Sequence, residues 1–191
     1  DPNNSDNIKS YALDFTDYKQ IIELKNKLHS EGITIDILIN NVGGSIVKEF
    51  KDFTIEEFDN LNNLNYRSTF ATTQQFLDDI ILNKGGIISI LSVAVFDEFK
   101  GNSIYSATKS AISTMMNVLR EELRETGIDI VNIYAGATAT DVWSKELIEK
   151  FEGRLMSPND VAKAILPIMN TIFQEIPTIE ELVIRPKMGN I

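Results

Sequence analysis

Gly85-Gly86-Ile87-Ile88-Ser89-Ile90-Leu91-Ser92 is the stretch whose reading decides the fold. The two glycines end a long helical pattern, and the apolar run after them is short and does not alternate with polar residues. Such a run reads as a strand buried on both faces, the signature of a parallel sheet covered by helices on either side. Outward from it, strand and helix patterns alternate. A short strand over about Lys9 to Asp14 is followed by an amphipathic helix from about Asp17 to Ser30 and a strand at Asp36 to Asn40. A long helix spans about Thr54 to Leu82, with Thr54 and Glu57 forming a capping-box signature. Beyond Ser92 come a helix running to about Thr126, a strand at about Asp129 to Tyr134, a helix starting at Ser157-Pro158, and a last strand at Glu181 to Arg185. This βαβα rhythm predicts a single α/β domain over residues 1–191, with a Rossmann-like parallel sheet and helices on both faces.

The same stretch ends on the first residue of a chemical motif. Ser92, Tyr105 and Lys109 follow the spacing Ser-x12-Tyr-x3-Lys. Open α/β sheets place their ligands at strand C-terminal ends, where Ser92 sits. Tyr105 and Lys109 are four apart on a predicted helix and therefore share a face. A phenol titrates near pH ~10 when unperturbed, and a neighbouring ammonium favours its phenolate, so Lys109 is expected to lower the Tyr105 pKa. The three side chains together suit proton transfer to or from a carbonyl oxygen, with Ser92 orienting that oxygen. Small Ser106, Ala107, Ser110 and Ala111 keep the helix open to close approach.

Composition narrows the function classes. The chain has 191 residues, 43% of them hydrophobic, enough for one domain with a full core. Eighteen basic against 28 acidic residues give a net charge of -10, which disfavours nucleic acid and anionic membranes as partners. The absence of cysteine removes disulfides, thiol nucleophiles and thiolate metal sites, and fits a reducing, cytoplasmic setting. No metal ligand set is evident, and no run approaches the ~18 apolar residues of a membrane span. Residues 1–7 form a polar lead-in. His29, the only histidine, reads as a partly exposed residue of an early helix. With no Gly-x-Ser-x-Gly elbow around Ser92, a serine hydrolase is a poor reading. Glu56/Glu57, Glu121/Glu122 and Glu180/Glu181 read as solvated charges, and Met115-Met116 and Phe50/Phe53 as packing.

With these motifs in place, the chain resembles the short-chain dehydrogenase/reductase family over essentially its whole length. Asn40-Asn41-Val42-Gly43 is similar to the family's Asn-Asn-Ala-Gly segment, and Asn65 matches its active-site Asn, which holds a water linking Lys to solvent. Leu13-Asp14-Phe15-Thr16-Asp17 resembles the segment that reaches the adenine ring. Ala135-Gly136-Ala137-Thr138-Ala139-Thr140 resembles the Pro-Gly-x-x-x-Thr segment at the nicotinamide carboxamide, with Ala in place of Pro. The resemblance implies hydride transfer between NAD or NADP and a small carbonyl or alcohol substrate. Asn65, Ser92, Tyr105 and Lys109 would be the catalytic set, with Tyr105 as general acid/base. Asp14, Phe15, Asn41, Val42, Gly43, Gly136, Thr138 and Thr140, together with Tyr105 and Lys109, would bind the cofactor. It also implies a homodimer or homotetramer.

One part of the family pattern has no counterpart: the opening strand, the Thr-Gly-x3-Gly-x-Gly turn beneath the pyrophosphate, and the second strand. The expectation is therefore an N-terminally incomplete chain with a gap between the strand at Lys9 and the strand at Asp36. The facing strand edges would be unpaired, and the helix N-terminus that receives the pyrophosphate would be missing. That absence supports an alternative reading, a noncatalytic binding or assembly module that keeps the fold without a working cofactor site.

Overall fold

In the computed structural model, which describes residues 8–174 and 178–189, the apolar run is the second strand of a four-stranded parallel sheet. The lead-in of residues 1–7 lies outside the described residues. The strands are β1 (Ile37–Asn40), β2 (Gly86–Ser92), β3 (Asp129–Ala135) and β4 (Glu181–Ile184), hydrogen-bonded in the order β1-β2-β3-β4. Ile39 pairs with Ile88, and Ile88 in turn with Val131. The helices are α1 (Tyr18–Ser30), α2 (Ile55–Asn62), α3 (Ser68–Leu82), α4 (Ser103–Glu122), α5 (Lys145–Lys150) and α6 (Pro158–Met169).

The unbroken apolar run follows from cover on both sides. Ile87, Leu91, Ile130 and Tyr134 face a core built with Ile21 of α1, Phe76 and Ile80 of α3, and Ile112 and Met116 of α4. Ile88, Val131 and Ile133 face the opposite core, made with Val161, Ile165 and Ile168 of α6. Each fully buried Ile contributes roughly 1.5–3 kcal/mol relative to exposure, so the central strands carry much of the fold's hydrophobic stabilisation. The register is locked at the entry to β2. Gly86 N–H donates to the Asp36 carbonyl at 2.9 Å, and a Cβ on Gly85 would sit 1.7 Å from that same oxygen. Only glycine passes there.

Local signals placed the helices well. Thr54 and Glu57 form the reciprocal capping box that starts α2, and Ser157 caps α6 with Pro158 in its first turn. The expected single helix from Thr54 to Leu82 is interrupted by a π-helical turn, Asn63–Arg67, in which Ser68 N–H reaches back to the Asn63 carbonyl. α5 was not anticipated; its six residues, capped by the Ser144 side chain, are too few to show a helical period.

The expected strand at Lys9 to Asp14 does not form. Tyr11, Leu13 and Phe15 are partly buried and pack against the first core, while Ala12 and Asp14 face solvent, so the period-2 pattern is real. Among the described residues no neighbouring strand offers it backbone partners, and a strand exists only as part of a ladder. Side chains anchor the segment instead. Lys9 pairs with Glu31 at 2.6 Å, and Lys27 lies 4.6 Å above the Tyr11 ring. β1 is accordingly the sheet edge, with Ile39 at 43% exposure.

Candidate active site

Ser92 ends β2, and Tyr105 stands in the first turn of α4, whose axis runs beside β2 and β3. The Ser92 hydroxyl lies close enough to the Tyr105 phenol to pull its pKa down. Ser92 Oγ also accepts the Ala94 backbone N–H at 3.1 Å, which fixes the hydroxyl at the strand end. Lys109 is one helical turn beyond Tyr105, and its Nζ lies 5.9 Å from the centre of the Tyr105 ring. That Nζ donates to the Ile90 carbonyl at 3.1 Å. Ile90 is the first β2 residue beyond the register with β1, which ends at Ser89, so Lys109 reaches over the end of β1.

The electrostatics differ from the sequence expectation. Burial pushes the Tyr105 phenol above its usual pKa, and the Ser92 hydrogen bond pulls it only partly back. Burial also brings the Lys109 ammonium down to about 8. Desolvation, and not the expected lowering by Lys109, sets the direction of the phenol's shift, and the phenol is protonated at neutral pH.

Asn65, fully buried in the π-helical turn, clamps the loop after β1. Its Oδ1 accepts Gly44 N–H at 2.8 Å, and its Nδ2 donates to the Gly44 carbonyl and to Thr108 Oγ1, each at 3.0 Å. Both amide hydrogens are thus engaged by protein groups. π-turns recur at functional sites because the extra residue re-aims one side chain. Gly43 is wedged between this amide and the lysine: a Cβ there would lie 3.2 Å from Asn65 Oδ1 and 3.3 Å from Lys109 Nζ. Asn65, Gly43, Lys109, Tyr105 and Ser92 consequently form one connected cluster.

Thr108 belongs to that cluster and was missed in the sequence. Its hydroxyl accepts from Asn65 and donates to the Tyr105 carbonyl at 2.8 Å, joining the π-turn to α4. The available signal was a polar residue on the same helix face as Tyr105, three positions on.

The other candidates fall into two groups. Phe15, Asn41 and Val42 line a cleft of about 80 Å³ beside β1, together with Thr69 and Thr72 of α3. Asp14 accepts from the Thr16 N–H and hydroxyl at 2.8 and 2.7 Å, and these bonds hold its carboxyl below the usual range. It shapes the turn into α1, whose cap is Asp17. The second group follows β3. Ala135 pairs with Ser92, so Gly136 begins the strap one residue past the Ser92 level. Gly136 N–H donates to the Ile184 carbonyl at 2.7 Å, Thr138 bridges Met156, and the Thr140 carbonyl accepts from Trp143 at 3.0 Å. His29 binds both carboxylate oxygens of buried Asp79 at 2.9 and 3.0 Å, far from this cluster in the chain. Among the described residues no group of three or more His, Cys, Asp or Glu is placed to hold a metal, and no helix is long and apolar enough to cross a membrane.

Comparison with known proteins places the chain in a family. Residues 2–150 match the family model described as short chain dehydrogenase. An uncharacterised oxidoreductase of Staphylococcus aureus (strain N315) is 27% identical over 182 residues, covering 95% of this chain and 77% of the relative. The sepiapterin reductase of Chlorobaculum tepidum is 29% identical over 182 residues, covering 94% of this chain and 73% of its own length. Among solved structures, ElxO with NADP bound superposes with a TM-score of 0.82 at 25% identity, covering 95% of this chain and 78% of that one.

Proposed function

This chain belongs to the short chain dehydrogenase family, and from that premise we propose that it is an NAD(P)-dependent oxidoreductase acting on a carbonyl or alcohol, with Tyr105 as its proton donor and acceptor. The observation that carries the reading is the half-buried Tyr105 beside Ser92, with the buried Lys109 one turn away.

The residues at the nicotinamide end fit such a cofactor. Asn41 and Gly43 are exposed after β1, Lys109 is a buried cation beside them, and Gly136, Thr138 and Thr140 strap the neighbouring strand end. These residues, with Tyr105, would hold the nicotinamide and its ribose, and the cleft with Phe15 and Val42 lies toward the adenine side. Among the described residues no glycine-rich turn joins a strand to a helix N-terminus at a pyrophosphate position. Bound there, the nicotinamide supplies or accepts the hydride. The chain's own part is proton handling. Ser92 and the Tyr105 phenol donate to the carbonyl oxygen and orient it. Tyr105 then releases its proton as the alcohol forms, and in the reverse direction it takes the proton back. Lys109 is the positive charge that favours the transient phenolate, and Asn65 positions Gly44 and Thr108 around it.

A second reading, a noncatalytic module, is favoured by one observation: among the described residues β1 is a sheet edge with no further strand beside it. Titration with NADPH and NADH separates the two. Saturable binding together with reduction of a carbonyl panel supports the enzyme, and loss of turnover in Tyr105→Phe with binding kept assigns the proton. A protein that binds neither nucleotide refutes the enzyme reading.

A further inference from the structure

A cavity of about 830 Å³ opens beside the cluster, within the ~300–1,000 Å³ range of small-molecule sites. Two of its wall residues touch the site directly along the chain: Ala94, whose N–H holds Ser92 Oγ, and Ser106, the neighbour of Tyr105. Opposite them, the wall at Glu49, Phe50 and Lys51 is tied to the entrance of α4 by the Lys48 N–H, which donates to the Gly101 carbonyl at 2.9 Å.

Aromatic rings furnish the interior. Phe96 rests on the buried Tyr134 ring, with centroids 4.5 Å apart at 53°, and is held facing the cavity side with half its surface open. Phe99 is anchored in the first core, while Phe50 remains 74% exposed. Val95 and Ala94 complete an apolar bed.

Charge around the cavity is already paired. Its walls carry the carboxylates of Glu49, Asp97 and Glu98 and the ammonium groups of Lys51 and Lys100. Both lysines face Glu49, at 3.6 and 3.5 Å, and Asp97 is paired with Arg185. Each lining lysine therefore already has the Glu49 carboxylate within reach, and with Arg185 counted the charges around the cavity balance. A substrate carboxylate or phosphate would have to compete with Glu49 for the lining lysines and would enter against the chain's net charge of -10.

From these observations we infer that the site takes a neutral carbonyl compound with an aryl or branched alkyl body, seated among Phe50, Phe96 and Phe99, in preference to a keto acid or phosphorylated carbonyl. The inference rests on the oxidoreductase reading above for its carbonyl end, and on the cavity alone for its apolar, uncharged body.

The test uses ligand-detected fluorine NMR on the full 191-residue chain with a matched pair, 4-fluoroacetophenone and 4-fluorophenylglyoxylate. The ketone is expected to bind saturably and about tenfold more tightly than the keto acid. Phe50→Ser, at an exposed position that leaves the core intact, should weaken the ketone several-fold. Equal or tighter binding of the keto acid, no saturable ketone binding, or indifference to Phe50→Ser each overturns the inference. Reduction of the two probes by NADPH is then read separately. Saturable ketone binding without turnover counts against the oxidoreductase reading and leaves the ligand class standing. Turnover of the keto acid in preference to the ketone keeps the reading and overturns the class.

Discussion

Lys109 Nζ lies 5.9 Å from the centre of the Tyr105 ring, yet its hydrogen bond goes to the Ile90 carbonyl on the strand beneath. The lysine is therefore a buried charge held at a fixed distance from the phenol, not a direct hydrogen-bond partner of its ring oxygen in this arrangement. Burial keeps the Tyr105 phenol neutral and makes the Lys109 charge costly to hold, so the folding cost at neutral pH falls on the lysine alone.

Lys109→Met is expected to stabilise the fold at neutral pH. The ammonium is brought from 10.5 to about 8, so the folded state holds the proton less tightly than the unfolded chain. Below pH 8 both states are protonated and the burial cost is fully felt; between about 8 and 10.5 the folded state alone has released the proton, and wild-type stability rises with pH. A shift of that size corresponds to about 3 kcal/mol at neutral pH, offset by about 1 kcal/mol for the lost hydrogen bond. Urea midpoints at pH 7 should favour the Met variant, and the gap should shrink by pH 10. A Met variant less stable at pH 7 would show that the ammonium is not a buried cost.

Tyr105→Phe should lower carbonyl reduction by about 10²–10⁴-fold while leaving nucleotide affinity within a few-fold. The pH profile carries the sign. With the phenol raised by burial, reduction should hold across neutral pH and fall as pH climbs through the Tyr105 value, whereas alcohol oxidation should rise along the same limb. Ser92→Ala removes the bond that pulls the phenol down, so the oxidation limb should move to higher pH. A limb that stays in place, or moves lower, contradicts the assignment.

How much of this was visible in the sequence depends on whether the controlling interactions are local. The Thr54 and Ser157 caps are set within one helical turn, and both appear where the residues indicate. The double burial of Ile87–Leu91 was legible because a strand covered on both faces has no polar alternation to preserve. Tyr11, Leu13 and Phe15 show the limit: their alternation reports one buried face, but a strand also needs a neighbour, and that is a long-range property. Similarly, spacing brought Tyr105 and Lys109 to one face. Their titration depends on how deeply α4 sinks against β2, which no local pattern encodes.

Asn65→Ala should destabilise the fold by about 2–3 kcal/mol, because three hydrogen bonds disappear and the Gly44 and Thr108 groups they satisfied lose their partners. Gly43→Ala is the contrasting case. Its new methyl would press on Asn65 Oδ1 and Lys109 Nζ at 3.2 and 3.3 Å without losing a hydrogen bond, so stability should change by less than about 1 kcal/mol while turnover falls. Denaturation and kcat measured on both variants check the pair. Equal stability loss in the two would mean that the loop after β1 is held by packing and not by the Asn65 amide.

Asp79→Ala should cost about 2–4 kcal/mol with no specific effect on the site. Asp79 is buried on α3, binds the His29 ring nitrogen through both oxygens, and accepts the Ile35 N–H at 3.3 Å, so it joins α1, α3 and the approach to β1. Its removal leaves the Ile35 N–H without that acceptor and opens a small void between the helices. His29→Ala should cost less, since the histidine side chain is 40% exposed and water replaces part of its contact. In a double-mutant cycle the coupling between the two positions is expected at about 1 kcal/mol or more, and a coupling near zero would show that Asp79 acts through Ile35 alone.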